Sequence, residues 1–190
     1  MDTVKGASGH TAVRSRALPG HSRLKNIIIA KLVGWFPPLG RTLAAGYQPA
    51  VGSAEIPWQP LGKPLSVCKV AVVTTAGIHH GFQPPFDMTD ADGDPSFRQL
   101  NAATLWDDFT ITHDYYDHSD AERDPNIVLP LDRLREFEQE GLIGCLATTH
   151  YGFMGHVTGR HLAELVEKSA VEVANLLKKD QVDLVLLSPA

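Results

Sequence analysis

The chain has 190 residues, 43% apolar and 21% charged, with a formal charge of -5 at pH 7 and a pI near 5.9. That is enough length for one domain with a real core, and the composition is that of an ordinary globular protein. The acidic balance, without a basic stripe interleaved with aromatics, argues against nucleic acid as the main partner. The apolar run NIIIAKLVGWFPPLG (Asn26 to Gly40) is interrupted by Lys31 and Pro37-Pro38, which makes it too short for a bilayer span and unlike a signal peptide. Two cysteines, Cys68 and Cys145, sit in separate apolar runs, the pattern of buried core thiols in a cytoplasmic protein rather than of a disulfide framework.

In chain order, residues 1–22 are rich in Gly, Ser, Thr, His and Arg without periodicity and read as a disordered leader. Residues 23–66 form an N-terminal arm: a short helix over RLKNIIIAKLVGWF, then an extended Pro/Gly-rich stretch with Trp58 as its anchor. From residue 67 to 190 strands alternate with helices. VCKVAVVTT (Val67 to Thr75) is the clearest strand and is followed by a turn at Ala76-Gly77 and a long Pro/Asp loop. FTITHDYY (Phe109 to Tyr116) reads as a second strand. LPLDRLREFEQEG reads as a helix with Pro130 in its first turn and Gly141 at its end. LIGCLATT is a third strand, Thr158 to Asp180 an amphipathic helix, and VDLVLLS the fourth strand. This order predicts an α/β fold, a mainly parallel doubly wound sheet with helices on both faces.

Parallel strands would bring the residues that follow them to one edge, where α/β proteins place their ligands. The residues expected there are Gly77, His79 and His80; His113, Asp114 and Asp117; His150, Tyr151 and Met154; and Ser188 to Ala190. Seven of the nine histidines lie between His79 and His161, with His118 and His156 close to these strand exits. HDYYDHSDAERD raises a metal site built from His113, Asp117, His118 and His150, but it matches no closed ligand spacing, and no metal is expected. DMTDADGDP fails as a calcium loop because, counted from Asp90, Gly93 is fourth and Asn101 twelfth. HYGFMGHVTG is a Gly-rich turn into a helix, suited equally to a plain connection or to anion binding at Gly152 and Gly155. Ser188 has no nucleophile elbow around it.

The runs PLSVCKVAVVTTAGIHH, DGDPSFR, THDYYDHSDAERDPNIVLPLDRLREF, GLIGCLATTHYGFMGH and DLVLLSPA resemble the selenoprotein B family of the glycine, sarcosine, betaine and D-proline reductases. In layout the chain is most similar to the single-unit selenocysteine subunit of D-proline reductase. The resemblance implies a selenocysteine in a U-x-x-C motif directly after the strand that ends in Ala190, then a helix and a last strand. No catalytic nucleophile is therefore expected within the chain as given, which would be incomplete at its C-terminal end and inactive. The resemblance further implies a cytoplasmic oxidoreductase subunit acting on CH-NH donors with a disulfide as acceptor. It implies a partner subunit carrying a pyruvoyl group, a thiol/disulfide electron donor and a small amine substrate, with no cofactor bound in this chain and no nucleic acid or membrane. His79, His113, Asp114, Asp117, His118, His150, Tyr151, Met154 and His156 would line the pocket, one of His79, His113, His150 and Tyr151 protonating the departing amine, and Gly152 and Gly155 would hold the substrate carboxylate. Two other readings remain: a metal-dependent hydrolase or lyase using the His/Asp loop, and a non-catalytic binding subunit.

Overall fold

A computed structural model describes residues 21–36, 38 and 59–190. The leader and most of the arm, including Trp58, lie outside the described residues. Helix α1 spans His21–Trp35, where the arm's helix is expected. No helix among the described residues is long and apolar enough to cross a membrane.

Strand β1, Lys69–Thr74, is the centre of the main sheet. Its alternating residues are buried on two sides. Val70 and Val72 join one apolar cluster with Ile78, Leu100, Phe109 and Ile111. Ala71 joins another with Ala147, Tyr151, Phe153, Val173 and Leu177. A strand buried on both faces needs helices on both, and the sequence supplies them. Leu131 and Leu134 of α3 (Leu131–Gln139) cover the first face, while Val173 and Leu177 of α5 (Ala170–Lys179) cover the second. Before α3 in the chain lies the short helix α2, Ser119–Arg123.

The remaining strands are β2 (Ile78–His80), β3 (Phe97–Asn101), β4 (Phe109–Ile111), β5 (Cys145–Leu146), β6 (Thr149–Phe153) and β7 (Leu184–Ser188). In the five-stranded sheet β1 pairs in parallel with β7 on one side and with β5 and β6 on the other, and β3 closes that side antiparallel to β6. The protein is thus an α/β domain with a mostly parallel sheet, as the alternation of elements requires.

Two strand expectations are corrected. Phe109–Ile111 does not enter the parallel sheet; it pairs antiparallel with β2 in a separate two-stranded ribbon, and the chain has already left strand geometry before His113. The rest of FTITHDYY is apolar enough for a strand but carries two tyrosines that turn inward instead, Tyr116 donating its hydroxyl to the Ala76 carbonyl at 3.1 Å. The third strand is broken: Lys69 and Val70 pair with β5, Val73 and Thr74 with β6, and the gap between them falls opposite Ala71 and Val72. β3 was hidden in the Pro/Asp loop because FRQLN alternates without a strong apolar face.

The long C-terminal helix appears over the expected segment in three pieces, α4 (His161–Glu164), a π-helical turn (Leu165–Ser169) and α5. α3 begins after Pro130 and ends at Gly141, φ 70°, with the Leu142 N–H closing back on Phe137 at 2.8 Å.

Gly152 shows how tightly β2 lies over the sheet. A Cβ at that position would stand 2.4 Å from the Ile78 carbonyl oxygen, backbone that cannot move aside cheaply. Gly152→Ala is expected to cost about 1–3 kcal/mol. Gly62→Ala, in open space, should change stability by less than about 0.5 kcal/mol. Urea unfolding of both variants checks this; coincident midpoints would refute the close approach.

Candidate functional site

The carboxyl edge of the parallel strands is assembled by backbone contacts. The Thr75 N–H donates to the Ser188 carbonyl at 3.1 Å and the Ala190 N–H to the Thr75 hydroxyl at 3.1 Å, which ties the exit of β7 to the exit of β1. Gly155, just past β6, fills the space beside them. A Cβ there would lie 3.0 Å from the Thr75 carbonyl oxygen, 3.2 Å from His113 Nε2 and 3.4 Å from the Ala190 carbonyl oxygen. Thr75, His113, Gly155 and Ala190 therefore converge, close enough that a side chain at 155 would press its neighbours outward by a few tenths of an ångström.

His113 is the buried member of this group, 3% exposed. Its Nδ1 faces the Tyr115 N–H at 3.1 Å and its Nε2 faces the Gly155 N–H at 3.3 Å. A neutral imidazole has one lone pair to offer and an imidazolium none, so protonating this ring would set N–H against N–H on both sides. Burial, reinforced by the neighbouring His118 and against the pull of Asp114, holds its pKa down to about 4.

Around it runs a chain of rings. His118 meets Tyr116 edge-on with centroids 5.6 Å apart, Tyr116 meets His113 at 4.8 Å, His113 meets Tyr115 at 5.9 Å, and Tyr115 stacks on His156 at 4.0 Å. Burial raises the Tyr116 phenol well above its usual range, so it remains a donor to Ala76.

The other expected site residues fall elsewhere. His79 is satisfied within the β2–β4 ribbon, Nδ1 donating to the His80 carbonyl at 2.8 Å and Nε2 accepting from the Thr112 hydroxyl at 2.9 Å. Burial lowers its pKa as well. His150 lies inside the sheet rather than at its edge, because β6 runs on to Phe153. Its Nδ1 accepts the Val72 N–H at 2.9 Å, filling the hole in the ladder between β5 and β6. Burial first, then the Arg135 charge, lowers its pKa to about 4.

Tyr151 packs edge-on to Phe97 in the core on the α5 face. Met154 is buried with Phe86 and Met88, its sulfur accepting the Asp94 N–H at 3.3 Å. Gly152 is closed off beneath Ile78 and does not face an anion. Asp114 is buried, and exposed Asp117 accepts the Ser119 N–H at 3.2 Å and lines a groove against Ile28, Lys31, Leu32 and Trp35 of α1. His118 Nδ1 pairs with Glu122 at 2.9 Å. No group of three or more His, Cys, Asp or Glu among the described residues is placed to hold a metal ion.

The acidic loop has a role that spacing alone did not reveal. Asp87, Asp90 and Asp94 each accept a backbone N–H two residues on, at Thr89, Asp92 and Ser96, so the carboxylates shape turns. The loop then latches onto the segment after Gly155: Gly93 bridges Val157, the Thr158 N–H donates to the Asp92 carbonyl at 2.8 Å, and Asp90 binds Arg160 and His161. The His161 hydrogen bond is the main reason that the Asp90 pKa falls to about 2. In the same way His156 Nε2 lies 3.2 Å from the Ala91 carbonyl.

A mostly parallel sheet whose strand exits, glycine turn and imidazole meet at one edge is the layout of an α/β domain, a class in which ligands bind beyond the carboxyl ends of the strands. The chain belongs to the glycine/sarcosine/betaine reductase selenoprotein B family, whose model matches residues 42–190. It is 36% identical over 131 residues to the D-proline reductase subunit gamma of Acetoanaerobium sticklandii, covering 69% of this chain and 52% of that protein. It is 37% identical over 100 residues to the sarcosine reductase complex component B subunit beta of Peptoclostridium acidaminophilum, covering 49% and 22%. It is 34% identical over 139 residues to the glycine reductase complex component B subunit gamma of Symbiobacterium thermophilum, covering 70% and 31%. The chain spans from about a fifth to about half of the length of these relatives. No solved structure matches it.

The two rings held near 4 set a pH dependence. Above pH 6.5 both the folded and unfolded forms are neutral; between 6.5 and about 4 the unfolded chain binds protons that native His113 and His150 refuse. Stability therefore falls as pH is lowered through that window, by about 2 kcal/mol per ring at pH 5. His150→Gln, whose amide oxygen replaces the acceptor for Val72, should remove about half of that loss. Urea unfolding at pH 7 and pH 5 measures it; stability that rises toward pH 5, or an unchanged slope in the variant, contradicts the assignment.

Proposed function

We propose that this chain is the α/β part, residues 67–190, of a selenocysteine-type reductase subunit that cleaves a C–N bond reductively in an amine or amino acid of the glycine, betaine, sarcosine and D-proline class. The observation that carries the reading is the family match through residue 190, at the point where the fold sets the exit of β7 against Gly155 and His113. A selenolate directly after Ala190 would emerge at this edge. More acidic than a thiol, it would be ionised at neutral pH and strongly nucleophilic.

The substrate would reach this edge on a partner subunit whose pyruvoyl group supplies carbonyl activation of the amine, and a thiol/disulfide donor would supply the electrons. The relatives named as components of reductase complexes support a complex partner. Cys68 and Cys145 are both free thiols, in keeping with a cytoplasmic setting. Of the two glycines proposed for the substrate carboxylate, Gly155 is the one that lies at the strand exits, and its N–H would have to exchange its His113 partner to serve there.

The test is to read the coding DNA beyond the Ala190 codon and to assay the purified full-length product for selenium. The expected result is an in-frame TGA, then x-x-Cys and a further helix and strand pattern, with about one selenium per chain. A TAA or TAG codon, or TGA with no open frame after it, removes the nucleophile and with it the proposed reaction.

A further inference from the structure

Helix α1 carries an apolar face that its own domain leaves uncovered. Among its described side chains all but Val33 are exposed. Leu24, Ile28, Leu32 and Trp35 recur at helical spacing along one stripe, the first three 50–55% exposed and Trp35 93%. A helix of 15 residues is at the length where an isolated helix is marginal in water, so its stability calls for a surface packed on that stripe. A contiguous exposed apolar face of this kind marks an interaction site.

The charges beside the stripe select its occupant. α1 contains Lys25 and Lys31 and no acidic residue. Lys25 is exposed and stands on the same face as Leu32, about two helical turns away. Next to the C-terminal half of α1, Asp117 lines a groove of about 480 Å³ with Ile28, Lys31, Leu32 and Trp35. Hydrogen bonds from Ser119, and after them the Lys31 charge, hold the Asp117 carboxyl below its usual range. Asp120 and Glu122 of the adjoining α2 are paired with Arg123 and His118. One patch thus combines an apolar stripe, a cation at its N-terminal half and a carboxylate at its C-terminal half, which makes it complementary to itself under a two-fold axis. A parallel pair of such helices would set Lys25 against Lys25 and Lys31 against Lys31. An antiparallel pair opposes the helix dipoles favourably and brings Lys25 of one helix over the half of the other where Asp117 lies.

We propose that α1 and the groove beside Asp117 form a two-fold interface between two copies of this chain. The α1 helices run antiparallel, Leu24, Ile28, Leu32 and Trp35 of the two copies interleave, and Lys25 of each copy meets Asp117 of the other. Because the same patch serves on both sides, the contact closes as a dimer and does not propagate into a filament. It stands independently of the reductase reading, since it uses neither selenolate nor substrate. Asp117 belongs to the loop whose rings run from His113 through Tyr116 to His118, so the second copy bears on the loop that carries the site's buried imidazole.

The experiment is sedimentation velocity on the full-length chain alone, from about 1 to about 100 µM. The expected result is a monomer–dimer equilibrium. Leu32→Asp should weaken it at least about 30-fold and leave thermal unfolding of the domain unchanged, because α1 lies outside the core clusters. Lys25→Asp and Asp117→Lys should each weaken it at least about fivefold, and an equal mixture of the two variants should restore it, because the mixed dimer regains both charge pairs. In the wild type, carbodiimide coupling of an equal mixture of isotope-labelled and unlabelled chains should join Lys25 to Asp117 in peptides of mixed label. This measurement stands if a variant fails to fold. A chain that stays monomeric throughout, a dimer that Leu32→Asp leaves intact, a mixture no tighter than its components, or coupled peptides of single label only, overturns the interface. A monomer that binds vesicles of phosphatidylcholine and phosphatidylserine through α1 assigns the face to a lipid surface and overturns it equally.

Discussion

The hydrogen bond from the Val72 N–H to His150 Nδ1 is the constraint on which the sheet depends. β1 is buried on both faces and must satisfy its backbone along its whole length. On the β7 side it does so in unbroken register from Val70 to Thr74. On the other side the partner strand is interrupted between Leu146 and Thr149, and the ladder would leave a buried donor unpaired at a cost of about 1–3 kcal/mol. An imidazole reaching in from β6 supplies the missing acceptor. The interruption lets the chain advance past Val72, so that β6 re-pairs at Tyr151 and Gly152 and carries Phe153, Met154 and Gly155 out over the carboxyl edge.

The site follows from that displacement. Gly155 arrives beside Thr75 because β6 has been shifted, and Ala190 arrives there because β7 keeps strict register with β1. His113 arrives by another route: β4 has left the sheet to pair with β2, and the turn at Gly77 holds Thr112 through its carbonyl, so that the next residue is driven under Gly155. Three independent chain segments thus meet where the sheet contributes only backbone and the loops contribute rings. The acidic loop, latched through Asp92 and Asp90 onto Thr158, Arg160 and His161, keeps the Gly155 turn from swinging into solvent.

Much of this was legible in the sequence. The alternation of apolar runs with amphipathic stretches gave the α/β class. Val67 to Thr75, Val182 to Ser188, the Pro130 to Gly141 helix and the long C-terminal helix all lie where their patterns put them. The family was legible too, since DYYDH and HYGFMGH are combinations that periodicity has no reason to produce. What stayed hidden depends on pairing rather than on pattern. Short segments such as Phe97–Asn101 and Phe109–Ile111 have the same local preference whether they join the main sheet, its edge or a separate ribbon, and only tertiary context chooses. A bulge is invisible for the same reason. LIGCLATT reads as a strand and HYGFMGHVTG as a turn, so His150 was expected at the edge, whereas β6 continues three residues past it to Phe153.

The histidines show the limit most clearly, because residue type announces chemistry while environment decides it. His79, His113, His150 and His156 are one residue type, yet burial holds the first three as neutral parts of the fold. A buried imidazole whose nitrogens face donors loses twice on protonation, once by desolvation and once by the opposed N–H groups. Such a ring holds geometry and cannot move charge. His156 lies after the strand has ended, partly exposed, with its Nε2 anchored by a loop carbonyl. The fold thus separates the two uses of one side chain by depth, with neutral rings inside that pair with backbone N–H groups of the sheet and the glycine turn and a partly exposed ring outside that ties the acidic loop to the segment after Gly155.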